Sequence, residues 1–303
     1  MTYKNSMKLL TSNFSFVWKQ LAYNIIRLAI IFGLVVAVSN PIVKVLVQNN
    51  LPEQFASAWQ AIYTNFGEFL HELKQTIMLF TTIISENMAS IWYSIMLFFF
   101  VTIFVNNFLK NYGKYAMTDV AQNNYTCLNK KGFCQSLIGN FGTASKYALA
   151  KFLLDLPFDF LKVLYVSIYC MALDSIVLAI FGISALIICY TVTFALQISM
   201  YNAIAIEMVG GRKNPFSAIL KGYATTKDYF KNFSTAIIIV LTIILVNIIV
   251  GVFTFGAGLL ITIPASNVLI ITFELISYFG AVGQRYYLSP TIIVDPNAEK
   301  LNK

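Results

Sequence analysis

The sequence predicts an all-α polytopic membrane protein: six transmembrane helices arranged as three parallel helical hairpins, with cytoplasmic amphipathic connector helices and one long external amphipathic helix. Three observations carry this prediction. Of the 303 residues, 58% are hydrophobic and only 11% are charged, where an ordinary globular domain carries about 25% charged. Six apolar stretches reach the roughly 20 residues that a helix needs to cross hydrocarbon. Eighteen of the twenty-one Lys and Arg fall on one side of the topology those stretches define, as the bias of basic residues toward cytoplasmic loops requires. A mean hydropathy of +0.72 would leave a soluble particle of this size with a largely apolar surface. An aromatic content of 15% is also foreign to disordered chains.

The spans are expected at 22–47, 89–109, 152–173, 176–205, 234–254 and 258–283, in one integral membrane domain covering 1–303. Both termini lie in the cytoplasm and the chain in the cell membrane. An external loop covers 48–88, and cytoplasmic connectors cover 110–151 and 206–233. Only Lys44, Lys74 and Lys162 depart from the cytoplasmic set, and the external loop carries Glu53, Glu68, Glu72 and Glu86 against Lys74. The N-terminus does not read as a signal peptide, because its first apolar run follows about twenty mixed residues. The net charge of +8 is therefore a topology signal. No soluble basic stretch is long enough to bind nucleic acid. The sequons at Asn13, Asn124 and Asn232 fall on the cytoplasmic side, where they go unused. Cys127 and Cys134 lack a zinc spacing, and with Cys170 and Cys189 they read as unpaired thiols.

A hairpin unit repeats along the chain. Asn140–Tyr147 leads into the third span as Gly222–Tyr229 leads into the fifth, with Phe133/Phe216, Leu137/Leu220, Phe141/Tyr223 and Tyr147/Tyr229 in register. Phe14–Lys19, before the first span, is a looser third copy. The even spans end alike, in Tyr115-Ala-Met-Thr-Asp119, Tyr201 through Glu207, and Tyr278 through Arg285. Such parallel repeats predict a bundle with pseudosymmetry about the membrane normal. The connectors space apolar residues by three and four with lysines between, a pattern suited to helices lying on an anionic leaflet. A plain linker helix packed on the bundle would show the same pattern.

In the external loop, Phe55, Trp59, Ile62, Phe66, Phe69, Leu73, Ile77 and Phe80 advance by threes and fours. That spacing predicts one continuous helix with the stripe buried. His71 beside Glu68 and Glu72 reads as a solvated face, and no metal site is expected.

Charged residues inside spans are costly, and mark function by default. Lys151, Asp155, Asp159 and Lys162 share one face of the third span, with Pro157 between the aspartates. Glu274 stands in the sixth span, and Arg27 about two turns into the first. Asp155, Asp159, Lys162, Glu274 and Arg27 thus form a candidate polar seam. It reads either as a carrier of ions or protons, or as internal ion pairs holding the bundle. Lys162 is the expected partner of Glu274, with Arg27 as the other candidate.

No nucleotide, zinc-protease or nucleophile-elbow motif is present, and His71 is the single histidine, so neither enzyme chemistry nor a cofactor is expected. Pro264 in Leu-Ile-Thr-Ile-Pro and the run from Arg285 to Val294 resemble a loose group of bacterial six-span membrane proteins over residues 110–295. That group includes the membrane domain attached to some glycerophosphodiester phosphodiesterases. The resemblance implies the three-hairpin layout, but no phosphodiesterase activity, since that catalytic domain has no counterpart in these residues. The bias toward Ile, Asn, Lys and Phe is that of an AT-rich bacterial genome. Two functions fit. One is a non-enzymatic membrane scaffold or accessory subunit, presenting amphipathic surfaces to lipid and to membrane protein partners or further copies of itself. The other is a transporter or channel using the acidic seam. A water-accessible cavity reaching both Asp155 and Glu274 would favour transport; a dry bundle would favour the scaffold.

Overall fold

The computed structural model describes residues 2–63, 65–126, 131–171, 176–201, 203–212, 214–225, 229–289 and 291–297. Cys127, the hairpin tip at 172–175 and part of the second repeat copy, 226–228, lie outside the described residues. The chain is almost wholly helical. In order run α1 (Thr2–Ser12), α2 (Ser15–Gln48), α3 (Leu51–Ala61), α4 (Phe66–Glu86) and α5 (Met88–Phe99). A π-helical segment (Phe100–Val105) then leads into α6 (Asn106–Thr126). They are followed by α7 (Phe133–Gly139), α8 (Phe141–Met171), α9 (Ile176–Tyr201), α10 (Ile204–Val209), α11 (Pro215–Thr225), α12 (Tyr229–Phe253) and α13 (Leu259–Val282). A short antiparallel hairpin, β1 (Tyr286–Ser289) with β2 (Ile292–Val294), comes last and pairs Tyr286 with Val294.

Among the described residues, five helices are long and apolar enough to cross a membrane: Ser15–Gln48, Met88–Thr126, Phe181–Val209, Asn232–Phe253 and Leu259–Val282. They lie on five of the six expected spans. The third expected span lies on α8, whose charged residues from Lys146 to Lys162 keep it below the apolarity of the others.

The chain divides into two compact units. The first comprises Met1–Leu28, Asn107–Asp155 and Thr191–Lys303. Its centre is α13, buried on every side from Val268 to Ile276, as a helix is when protein surrounds it. Leu9 of α1, Phe16 and Val17 of α2, Met117 of α6 and Ile239 of α12 join Phe273, Leu275 and Phe279 in one core. Apolar burial drives association weakly inside a bilayer, so close contact and hydrogen bonds matter more there. Gly113 shows this, because a methyl group at that position would overlap the Tyr23 ring. Tyr23 uses the approach to donate to the Leu109 carbonyl at 2.6 Å. Gly283 ends α13 in the left-handed region, at φ 72°, which glycine adopts without steric cost. The β-hairpin that follows is tied to α1 by Asn5, which donates to the Tyr286 hydroxyl at 2.9 Å.

Two buried acids fasten connector helices in this unit. Asp119, near the end of α6, accepts from Lys131 (2.6 Å), Ser136 (2.6 Å), Asn140 (2.8 Å) and Asn123 (2.9 Å). Glu207, on α10, accepts from Arg212 (2.9 Å) and Tyr278 (2.7 Å), and Arg212 also donates to Ser217 of α11.

The second unit comprises Ala29–Asn106 and Leu156–Tyr190. Here the expected continuous helix from Phe55 to Phe80 is corrected. α3 ends at Ala61 and α4 begins at Phe66, and the two pack against each other as a hairpin, bridged by Ser57 donating to Glu72 at 3.0 Å. Asn65 starts α4 by accepting from the Gly67 amide, an N-cap that satisfies an otherwise orphan donor. The step from Ile62 to Phe66 keeps helical spacing across the break, so periodicity alone does not detect it. The stripe is also split: Ile62, Phe69, Leu73 and Ile77 are partly buried, with Phe69 and Leu73 packed against Leu70. Ala58, Ala61 and Leu70 are buried, while Phe55, Trp59, Phe66 and Phe80 are 42–55% exposed. Small side chains such as Ala58 and Ala61 allow the two helices to approach, and four of the aromatic rings stay exposed. His71 lies 2.9 Å from Gln75 Nε2 through its own Nε2.

Candidate functional site

Five helices of the first unit line one partly enclosed cavity of about 80 Å³. Four of them contribute residues at helical spacing, so each of those presents one face, and α2 contributes Gln20 alone. From α6 come Lys110, Asn111 and Lys114, from α8 Lys151 and Asp155, and from α13 Asn267, Ile270, Ile271 and Glu274. Gln20 of α2 and Phe194, Gln197 and Ile198 of α9 complete it.

The acids are held by lysines. Lys114 donates to Glu274 at 2.6 Å, with side-chain exposures of 19% and 4%. Lys151 is ion-paired with Asp155 one turn further along α8, and Gln197 also donates to Asp155. Lys114 lies within electrostatic reach of Asp155, and Lys151 of Glu274, so the four charges form one cluster. Ion pairs this buried return their desolvation cost only when each charge has good partners, and losing one member strands the other.

Two amides stand beside this cluster with open positions. Gln20 Nε2 donates to Asn24 at 3.2 Å, which leaves Gln20 Oε1 without a partner. Asn111 Nδ2 has none either. Both residues are buried, at 5% and 3% exposure. An unpaired buried polar atom costs about 1–3 kcal/mol, so such atoms concentrate where something else completes them.

Of the residues singled out from sequence, the structure brings Asp155 and Glu274 together. Asp159 and Lys162 instead pair with each other at 2.9 Å in the second unit, where Lys162 also lies over the Tyr190 ring. The expected Glu274–Lys162 pairing is therefore corrected: the cation on Glu274 is Lys114. Equal depth along the apolar run suggested Lys162. A lysine has a long stem, however, and Lys114 reaches inward from beyond the expected end of its span. The other candidate, Arg27, is half-buried beside Tyr23 with no hydrogen bond on its Nε. Gln20, Asn111, Lys114, Gln197 and Asn267 were not singled out. For all but Gln197 the signal was available, as polar residues at helical spacing on faces shared with Arg27, Lys110 and Glu274.

No family model matches the chain, and no curated protein or solved structure matches it either.

Proposed function

We propose that this is a six-span membrane protein whose first unit carries a small polar solute across the bilayer, in the manner of a transporter rather than a scaffold. The observation that supports this is the cavity reached by both Asp155 and Glu274. A structural ion pair needs no space beside it, and here space and four clustered charges coincide. Intramembrane ionisable groups that line a cavity mark solute or proton pathways.

The six-span topology follows if α8 crosses as well. With five crossings, the five basic residues from Arg212 to Lys231 and the three from Arg285 to Lys303 would lie outside, against the cytoplasmic bias of Lys and Arg. The resemblance between the Asp119 and Glu207 anchors, each an acid at a helix end fastening the next connector, supports the parallel repeat. Reporter fusions at residues 130, 220 and 300 are expected to read cytoplasmic, and one at residue 70 external. A cytoplasmic reading at residue 70 overturns the six-span topology.

The scaffold reading is favoured by a different feature. Ile138 and Phe141 at the α7–α8 junction and Phe216 and Leu220 on α11 are 66–79% exposed, beside Lys146 and Lys221, the pattern of helices seated on lipid.

The two readings separate in reconstituted vesicles. Solid-supported-membrane currents after jumps of L-lactate, phosphate, glycine or ammonium are expected from the wild type with at least one solute. They should fall about tenfold or more in the Lys114→Met/Glu274→Gln variant, which leaves neither charge stranded. No current with any of the four, between pH 5 and 8, overturns the transport reading and leaves the scaffold.

A further inference from the structure

Arg27 is a charge that the first unit leaves without a counterion. A guanidinium stays protonated at any ordinary pH, and a charge inside a span is as a rule paired. Among the described residues no carboxylate pairs with it. The described acids of the first unit are each taken by another cation: Asp119 by Lys131, Asp155 by Lys151, Glu207 by Arg212, Glu274 by Lys114 and Asp295 by Arg285. Tyr23, beside Arg27, donates its hydroxyl hydrogen to the Leu109 carbonyl and supplies no charge. The surroundings of the side chain indicate what completes it. Nε is sealed from solvent without a hydrogen bond, whereas neither Nη nitrogen is sealed, so the outer edge of the guanidinium is open. Ile25, Ile26 and Leu28 around it on α2 are 54–59% exposed, so this stretch of the helix faces lipid. Arg27 stands about five residues, or roughly 7 Å, past the expected start of its span at 22. Side chains on a helix tilt toward its N-terminus, on the proposed topology the cytoplasmic end, and an arginine stem covers that distance. The open edge therefore meets the headgroup layer of the inner leaflet. Phe14 and Trp18, one turn apart and 42% and 55% exposed, lie on the approach to that layer, as interfacial aromatics do.

We infer that Arg27 holds the phosphate of one anionic phospholipid of the inner leaflet, its two Nη groups donating to two phosphate oxygens. A planar fork matches a phosphodiester in this way. The lipid is net anionic, as phosphatidylglycerol is. The ammonium of a phosphatidylethanolamine headgroup would enter a place where the first unit's described acids are already taken. Free phosphate offers the same oxygens but nothing to lay against Ile26 and Leu28. Arg27 does not line the cavity, so the site stands apart from the transport reading.

The test is native mass spectrometry of the purified full chain, released from neutral detergent micelles with phosphatidylglycerol, phosphatidylethanolamine or inorganic phosphate. One phosphatidylglycerol is expected to stay on the wild type, bound about tenfold or more tightly than phosphatidylethanolamine. Arg27→Met should weaken it about tenfold. Arg27→Lys should weaken it less, since it keeps the charge and loses only the fork. Lys146→Met, which removes an exposed connector cation, should leave the bound lipid in place. Melting in the same detergent separates binding from folding. Arg27→Met deserts no acid of the protein, so its lipid-free Tm should be unchanged or higher. Phosphatidylglycerol should raise the Tm of the wild type but not of that variant. Equal retention of the two lipids by the wild type, undiminished phosphatidylglycerol on Arg27→Met, or inorganic phosphate retained in the lipid's place overturns the assignment. A lower lipid-free Tm for Arg27→Met also overturns it, and would make Arg27 a structural cation held within the bundle.

Discussion

Glu274→Gln is expected to lower the stability of the protein by about 3–5 kcal/mol, the penalty for leaving one member of a buried ion pair behind. The carboxylate is 4% exposed and accepts a hydrogen bond from Lys114 at 2.6 Å. The amide can still accept from Lys114, but the ammonium then sits beside Lys151 with one countercharge fewer in the cluster. Lys114→Met strands Glu274 in the same way and should cost a similar amount. The double variant removes both charges and is expected to recover most of the loss, since paired removal of a buried salt bridge is often close to neutral. Denaturant unfolding of the four species in mixed micelles measures the coupling. A coupling below about 0.5 kcal/mol, the range in which independent sites add, would mean that the pair contributes nothing specific. Lys162→Met gives the contrast. Combined with Glu274→Gln it should be additive, because Lys162 is paired with Asp159.

How much of this was legible beforehand depends on which physics acts at each place. Apolar length acts locally, and it located the five helices that are long and apolar enough to cross a membrane. The pairing of Lys151 with Asp155 and of Asp159 with Lys162 was legible as well, because helical spacing alone places those residues together. The partner of Glu274 was not. It depends on how far a lysine stem reaches and on α6 continuing from α5 through the π-helical segment, neither of which an apolar run records. The α3–α4 hairpin failed for another reason. A stripe at steps of three and four states that one face differs from the other. Which positions turn inward is not stated by the period: Ala58, Ala61 and Leu70 are the buried ones, with Phe69 and Leu73 packed against Leu70. The cavity was half-legible: its acids stood out as charges, whereas Gln20, Asn111 and Gln197 are uncharged and passed as ordinary interface residues.

Removing the anchor at Asp119 should be as damaging as breaking the pair at Glu274, for a different reason. Its carboxylate is 4% exposed and holds donors from three stretches of chain: Asn123 in α6, Lys131 before α7, and Ser136 and Asn140 in and after α7. Asp119→Ala leaves all four donors without that acceptor, and about 3–5 kcal/mol is expected to be lost, most of it from Lys131, a charged donor beside a vacated site. Adding Lys131→Met should restore part of the loss, as it removes that charge. Asp119→Asn keeps one acceptor oxygen but turns an amide NH2 toward Lys131 and the amide donors, which have no lone pair to offer it, so it should fall between. Glu207→Gln is expected to cost less, because its cation, Arg212, is 37% exposed, and an exposed partner is compensated by water. The effect of Asp119→Ala should also be directional. Asn140 stands immediately before α8, the helix that presents Lys151 and Asp155 to the cavity. Releasing α7 therefore frees the entry of that helix first. Hydrogen exchange should accelerate across 133–150 before it changes in α13, whose burial on all sides does not depend on the anchor. Uniform acceleration throughout the first unit would show instead that Asp119 supports the whole fold rather than the connector, and the link from anchor to cavity would fail.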